Sequence, residues 1–560
     1  MSLSNLFRKK PATAIRQDEL EQHGTGLHKV LSVRDLTFFG IAAIIGGGTF
    51  SAIGNACFNG GPGVIILYAI CAVACGFTAL CYAEFAARVP VSGSAYTYAY
   101  VSFGELFAWI IGWALLMEYS IGNIYIAFSW SGYFTNLLPP GAIPEWLTIN
   151  YKAAHDAFTN FKPGDILNEG VIAWKNAPEI AGLKIIFDLP AFTINILITA
   201  LVFVGTKESK NLSNIMVLIK LLIIVLVIIV GLFHVDIDNW TPFMPNGFSG
   251  VMAGVSAVFF AYIGFDAVST LAEESKNPQR DLPRGMIYSL VICTVVYIIL
   301  SLVLTGMVSY NLLGVSDPLA EIFNLKGIKW MLFIVSIAAV VAMTSVLLVF
   351  QMGQPRIWMS MSRDGLLPKR FSSIHPKYKT PGFSTIVTGL VVGLPIFFTD
   401  ENFVLDFTSI GTLFAFVLVC GGVLTLPKDT SAREKGKFKL PYINSKWIIP
   451  TVTIISFILI FIYVPDSIYT ISEDSLKTIN YPMVIFYLFW LIIAGLSYMK
   501  NYSLIPVLGL LSCSYLLTGM GWTNWLLFSI WLLIGLVVYF MYGYKNSSLG
   551  KKQNKTHTTH

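Results

Sequence analysis

Apolar residues come in long runs along this chain, set apart by polar loops, and about fourteen of the runs reach membrane-spanning length. They occupy 36–57, 64–86, 107–137, 185–204, 215–234, 251–271, 286–309, 330–354, 384–398, 403–426, 447–464, 483–498, 504–517 and 525–542, taken below as spans one to fourteen. A hydrocarbon core about 30 Å thick needs about 20 apolar residues per helix. The pattern therefore predicts an all-α polytopic membrane protein with about 14 transmembrane helices.

Two of the runs break in the middle. Ile44-Ile45-Gly46-Gly47-Gly48-Thr49 interrupts span one, and Tyr262-Ile263-Gly264-Phe265-Asp266 interrupts span six. A bilayer offers no water to unpaired backbone groups, so non-helical chain at that depth persists only where protein buries it or a cavity wets it. Paired breaks in corresponding halves mark a transporter's central site. Their spacing predicts a unit of five helices used twice, with the second copy inverted because five is odd. The expected division is a cytoplasmic N-terminal segment at 1–34, a first repeat at 35–234 with an outer loop at 139–184, and a second repeat at 250–426. Four accessory helices at 447–544 and a cytoplasmic tail at 545–560 complete it.

Composition agrees: 55% of residues are hydrophobic and the mean hydropathy is +0.69. The net charge of +6 matters through its distribution. If the amino terminus is cytoplasmic, Lys and Arg gather on that side at every short loop, from Arg8, Lys9, Lys10 and Arg16 through Arg88, Arg280, Arg356 and Arg363 to Lys428, Arg433, Lys435, Lys437, Lys551, Lys552 and Lys555. The other side receives only Lys152, Lys162, Lys175, Lys184, Lys326, Lys329 and Lys477. This asymmetry places both termini inside, and it excludes nucleic acid as the partner of the basic residues. The first thirty residues are polar, so no cleaved leader and no attached soluble domain are expected. All seven cysteines lie in or at the ends of spans without metal-type spacing, and packing is their expected role. The segment Trp358–Pro368 has an amphipathic pattern that suits a helix lying in the inner interface.

The first break exposes the amides of Gly46, Gly47 and Gly48 at the start of a half-helix, a place that favours a carboxylate. The carbonyls of Ile44 and Ile45 just before it lose their helical partners and can accept from an ammonium. The bland alternative is a close crossing of small residues. The second break offers carbonyls of Phe260, Ala261 and Ile263 at the negative end of another half-helix. Together the two ends match a zwitterionic α-amino acid, with Phe260 and Tyr262 either closing over it or packing as ordinary aromatics.

Four ionisable residues sit inside spans, and charge there is rare and by default functional: Glu84, Glu118, Lys220 and Asp266. Lys220 stands in an apolar run with no acid within a helical turn, placed either to exchange a proton as a cavity opens to alternate sides or to snorkel inward. Glu118 has small neighbours on its own face and either anchors Lys220, anchors water, or bonds backbone. Glu84 is four residues from Arg88, a structural ion pair. Asp266 either caps the half-helix that follows the break or takes part in transport.

Several motifs place the chain beside a known family. Leu36-Thr37-Phe38-Phe39-Gly40 with Ile44–Gly48, Gly61-Pro62-Gly63, Tyr82-Ala83-Glu84-Phe85-Ala86 and Pro90-Val91-Ser92-Gly93-Ser94-Ala95-Tyr96 resemble the amino acid–polyamine–organocation (APC) superfamily. Within it, Phe259–Asp266, Asn277-Pro278-Gln279-Arg280-Asp281-Leu282-Pro283, Gly353-Gln354-Pro355-Arg356 and Arg363-Asp364-Gly365-Leu366-Leu367-Pro368 resemble the cationic amino acid transporter branch, bacterial proton-coupled type. The resemblance runs from Ser32 to Lys545 and implies a leucine-transporter-type fold with substrate between spans one, three, six, eight and ten. It assigns Gly46, Gly47 and Gly48 to the substrate carboxylate and Ile44, Ile45, Phe260 and Ile263 to the ammonium. It also assigns Lys220 to the lysine that replaces a sodium site, with Thr344 and Ser345 as its neighbours. The chain departs from the family where Gly47 replaces a Ser or Thr and Thr49 a common Ile. Either Thr49 restores a hydroxyl contact, or backbone alone serves the carboxylate.

The expected function is import of an amino acid across the plasma (bacterial inner) membrane by proton symport with alternating access, with no catalysis, cofactor or metal. Met343 on span eight, bulky and apolar, would line the pocket or pack, and no acid is placed for a cationic side chain. Neutral amino acids are therefore expected, ahead of a Lys/Arg uniporter or exchanger; a channel or sensor is the reading from another class. Substrate, proton and lipid bilayer are the expected partners, and the sequence leaves the oligomeric state open.

Overall fold

The computed structural model describes residues 6–10, 29–139, 141–161, 168–180, 182–315, 317–399, 401–426, 438–463, 469–471 and 477–551. Arg16, Lys162, Lys428, Arg433, Lys435, Lys437, Lys552 and Lys555 of the charge pattern, with Val464 at the end of span eleven, lie outside the described residues.

Helix dominates, as the apolar runs predict. Among the described residues, eight helices are long and apolar enough to cross a membrane, a ninth crossing is the pair Gly247–Ala253 and Ala257–Glu274 bent by 42°, and four shorter apolar helices run Leu189–Val204, Gly382–Phe397, Ile448–Tyr463 and Leu504–Leu517. One of the eight, Gly48–Arg88, contains the second half of span one and all of span two. Gly61-Pro62-Gly63 divides it, and Gly61 takes φ +58, a conformation only glycine adopts without strain. Its first part continues the short helix Val33–Ile44, so each predicted span has its helix. Two small antiparallel hairpins, Glu179–Ile180 with Leu183–Lys184 and Tyr469–Ile471 with Lys477–Ile479, sit in loops.

Burial orders the helices. In span three, Glu105–Asn136, 83% of the apolar window is covered by protein, against 22% in Tyr481–Lys500 and in the last span. Span three is therefore central and the last helices peripheral, with apolar faces left for lipid. Span eight, Lys329–Arg363, packs along span three, and span seven, Pro278–Met307, packs along spans one and two. All seven cysteines are free and buried. The loop between spans three and four folds into short helices Tyr151–Asn160 and Glu169–Asn176 around a small apolar cluster of Ala154, Ala173, Ala177 and Ile186.

One expectation fails at the end of span eight. Trp358, Met359, Ser360 and Met361 do not form an interfacial helix; they extend span eight without interruption to Arg363 and are buried. An amphipathic pattern says only that one face wants cover, and here protein supplies it. Met361 packs against Gly112 of span three, whose added Cβ would meet its Sδ at 2.8 Å. Glu84 and Arg88 do form the expected i,i+4 pair at 2.6 Å, and Glu84 also accepts from the Leu440 amide at 2.6 Å.

Candidate functional site

Both predicted breaks are present, and they touch. In span one the helix ends at Ile44, Ile45 turns to an extended ψ of 98°, and helical chain resumes at Gly47. The new half-helix opens with a wide turn over Gly48–Ala52, in which Thr49 and Phe50 both donate to the Gly46 carbonyl. Among the described residues, no hydrogen bond from outside that helix reaches the amides of Gly46, Gly47 or Gly48. In span six the turns tighten at Tyr262 and Ile263, Gly264 takes φ +114, and a ten-residue 3-10 helix, Phe265–Glu274, follows.

Glycine is required at the crossing for space as well as conformation. A Cβ on Gly48 would stand 2.4 Å from Ala261 Cα, and one on Gly264 would stand 2.6 Å from Ala43 Cβ. Gly46 faces Val346 of span eight, and Gly47 faces Ile126 and Tyr125 of span three. Tyr125 meets Phe260 edge-on at 4.9 Å. Spans one, three, six and eight thus converge on the residues that the sequence singles out.

The carbonyls are less free than the sequence implies. Ile44 O and Ala261 O each lie 2.8 Å from the Tyr297 hydroxyl of span seven, which accepts in turn from Thr49 Oγ1 at 3.1 Å. Phe260 O accepts from the Ile263 amide within the turn. The Thr49 hydroxyl is therefore committed to Tyr297, and the carbonyls of Ile44, Ile45, Phe260 and Ala261 already accept from the protein's own donors. Tyr297 is missed by sequence reasoning, since a tyrosine in an apolar run reads as packing. Tyr262 is not a lid: its ring stands against Tyr68 and Tyr297 and its hydroxyl donates to the Tyr68 carbonyl at 3.0 Å.

Lys220 is fully buried and does not snorkel. Its ammonium donates to Ile45 O at 2.6 Å, Ser345 Oγ at 2.9 Å and Ala42 O at 3.1 Å, tying the end of the first half-helix to spans five and eight. Thr344 is not part of this group. Its hydroxyl accepts from Trp130 Nε1 at 2.8 Å and donates to Val340 O, because adjacent helical residues point about 100° apart and only one of the two can face Lys220. Glu118 does not anchor Lys220 either. It is fully buried near Thr412 of span ten and Asp266, with neither oxygen hydrogen-bonded among the described residues. Asp266 follows the second break and accepts from the Tyr119 hydroxyl at 3.4 Å. Met343 is fully buried three residues before Val346, one turn along the face that meets Gly46.

The end of the site beyond the second break is clasped by charge. Arg356 Nε reaches Glu274 Oε1 at 3.2 Å, and Arg363 Nη1 reaches both oxygens of Glu273 at 2.8 and 3.0 Å. Two arginines seven residues apart on span eight thus hold the last two residues of the 3-10 helix that follows the second break. The N-terminal segment joins the same face through Arg8 to Glu105 at 3.0 Å and Lys10 to Asp364 at 2.7 Å.

A bundle of apolar helices whose two broken members meet at mid-depth, with unclaimed amides on one and a buried ammonium beside it, is a polytopic membrane carrier for a small solute. The sequence model described as Amino acid permease matches residues 31–496, and that for the C-terminus of such permeases matches 502–547; the chain belongs to the amino acid permease family. It is similar to a branched-chain amino acid permease of Bacillus subtilis (strain 168), 38% identical over 526 residues that cover 94% of this chain and 95% of the relative. A methylthioribose transporter of the same organism is 37% identical over 550 residues, 98% and 100% of the two chains. A vacuolar cationic amino acid transporter of Arabidopsis thaliana is 30% identical over 609 residues, 94% and 91%. These relatives are transporters and permeases, and the role of this chain is amino acid transport across a membrane rather than catalysis.

Proposed function

We propose that the chain carries a neutral amino acid inward through the plasma membrane together with a proton, by alternating access, with both termini cytoplasmic. The observation that carries this reading is the Lys220 ammonium bound to the carbonyl end of the first half-helix and to Ser345. A group there changes the charge of the site when it gains or loses a proton, and it bonds the break on which substrate would sit. Gly46, Gly47 and Gly48 take the carboxylate. The ammonium takes Ile44, Ile45, Phe260, Ala261 and Ile263 carbonyls as Tyr297 and Lys220 yield them, with Met343 towards the side chain. Glu118, beside Asp266, is a second buried group within the protein that serves proton passage. The 35–234 and 250–426 units act as inverted repeats, and 447–544 as a scaffold.

Substrate can shift the carrier between its two faces only by binding them unequally, and exchange of the Tyr297 and Lys220 bonds for substrate bonds supplies that difference. A branched-chain permease among the relatives favours an apolar or uncharged side chain, and among the described residues no carboxylate is hydrogen-bonded at the breaks besides Asp266. The test is uptake of labelled leucine, threonine and arginine into proteoliposomes under an imposed pH gradient. Accumulation of a neutral amino acid above equilibration, abolished by a protonophore, supports the reading. Equilibration alone rejects proton symport, and preference for arginine rejects the neutral substrate.

A further inference from the structure

Asn123 is fully buried on span three, and neither Nδ2 nor Oδ1 has a hydrogen-bond partner among the described residues. Residues three and four apart share a helix face, so Asn123 stands between Tyr119 and Ile126. Those two neighbours touch the two breaks: Tyr119 donates to Asp266, and Ile126 Cδ1 lies 2.6 Å from where a Cβ on Gly47 would be. The fold can satisfy such a group when the role is structural. Asn195, equally buried, donates to Gly389 O at 2.9 Å and accepts from Gln351 Nε2 at 2.6 Å. At membrane depth an amide idle at both ends keeps the full penalty of its lost hydration. Such a penalty is relieved when a polar partner arrives.

We propose that Asn123 is a specificity-determining residue that hydrogen-bonds a hydroxyl or carboxamide on the side chain of the carried amino acid. A primary amide offers two donors and one acceptor without charge. A neutral group that both gives and takes a hydrogen bond is its natural complement. This rests on the amino acid reading above and adds to it a preference among neutral substrates: threonine or glutamine over valine or leucine.

Threonine and valine have nearly the same shape and differ by a hydroxyl in place of a methyl, so they isolate the contact. Initial uptake of each into proteoliposomes containing the full chain gives the two kcat/KM values. The wild type should favour threonine by about tenfold, since a site built around a hydroxyl rejects the analogue that lacks it. Asn123→Val should bring the ratio near one while valine uptake persists, and Asn123→Ser should keep part of the preference. If Asn123→Val fails to reach the membrane, Asn123→Ala carries the same comparison. An unchanged ratio across the variants, or a wild type that takes valine as readily as threonine, overturns the assignment and leaves Asn123 holding a water only. Uptake of neither amino acid by the wild type removes the amino acid reading itself, a separate result.

Discussion

Replacing Lys220 by methionine removes an ammonium and its three hydrogen bonds while keeping an unbranched apolar stem. The structural cost is bounded by what the partners retain. Ala42 O keeps the Ser345 hydroxyl at 3.4 Å, whereas Ile45 O loses its 2.6 Å donor. A buried carbonyl left without a partner costs about 1–3 kcal/mol. Against that, a buried ammonium with no carboxylate bonded to it pays a desolvation penalty of several kcal/mol, which the methionine avoids. The terms oppose, so Lys220→Met should fold and melt within a few degrees of the wild type. Its transport should change far more. One pH unit is worth about 1.4 kcal/mol per proton, so one-to-one coupling sustains about tenfold accumulation per unit. The variant, without the group that links the proton to the first break, should stop at equilibration. The assay is steady-state accumulation in proteoliposomes at two imposed gradients with the membrane potential clamped at zero. Wild-type accumulation by Lys220→Met would remove Lys220 from coupling, and loss of the folded protein would refute the energetic reasoning.

Tyr297→Phe should lower stability by about 1–3 kcal/mol and slow uptake, because Ile44 O, Ala261 O and Thr49 Oγ1 all lose the one hydroxyl they share; melting of the purified variant checks the first and uptake the second. Gly48→Ala should cost about 1–3 kcal/mol through a Cβ set 2.4 Å from backbone, whereas Gly76→Ala, with open space around it, should be neutral or slightly stabilising in the same melting experiment. Arg363→Ala should free the end of the 3-10 helix. At 22% and 14% exposure the pair is worth about 1 kcal/mol, so hydrogen exchange over 265–274 should quicken roughly fivefold, and the swap Arg363→Glu with Glu273→Arg should restore it.

The breaks are legible in the sequence because their cause is local: three glycines in a row, and a glycine between Ile263 and Phe265, cannot continue a helix cheaply. Lys220 is legible because a lone cation in an apolar run has few explanations. Its partners are not, since they come from residues 175 and 125 positions away, and the choice of Ser345 over Thr344 is a matter of which way span eight is turned. Tyr297 stays hidden for the opposite reason. Its hydroxyl acts only because two carbonyls from different spans arrive within 2.8 Å of it. The segment from Trp358 is misread because an amphipathic pattern does not say whether lipid headgroups or protein cover its apolar face, and the helix runs on through Pro355 to Arg363. The paired glutamates at 273 and 274 explain why such an extension has something to hold.

That unbroken helix has a mechanical consequence. At about 1.5 Å per residue, the 35 residues of Lys329–Arg363 make a shaft of about 52 Å, well beyond the hydrocarbon thickness of about 30 Å. Ser345 grips the ammonium near its middle, and Arg363 grips the glutamate about 27 Å further on. A tilt of a few degrees about the first point sweeps the second by more than an ångström, enough to weaken an ion pair. Whatever loosens the lysine midway along the helix therefore tugs, through one stiff lever, on the clasp at its far end.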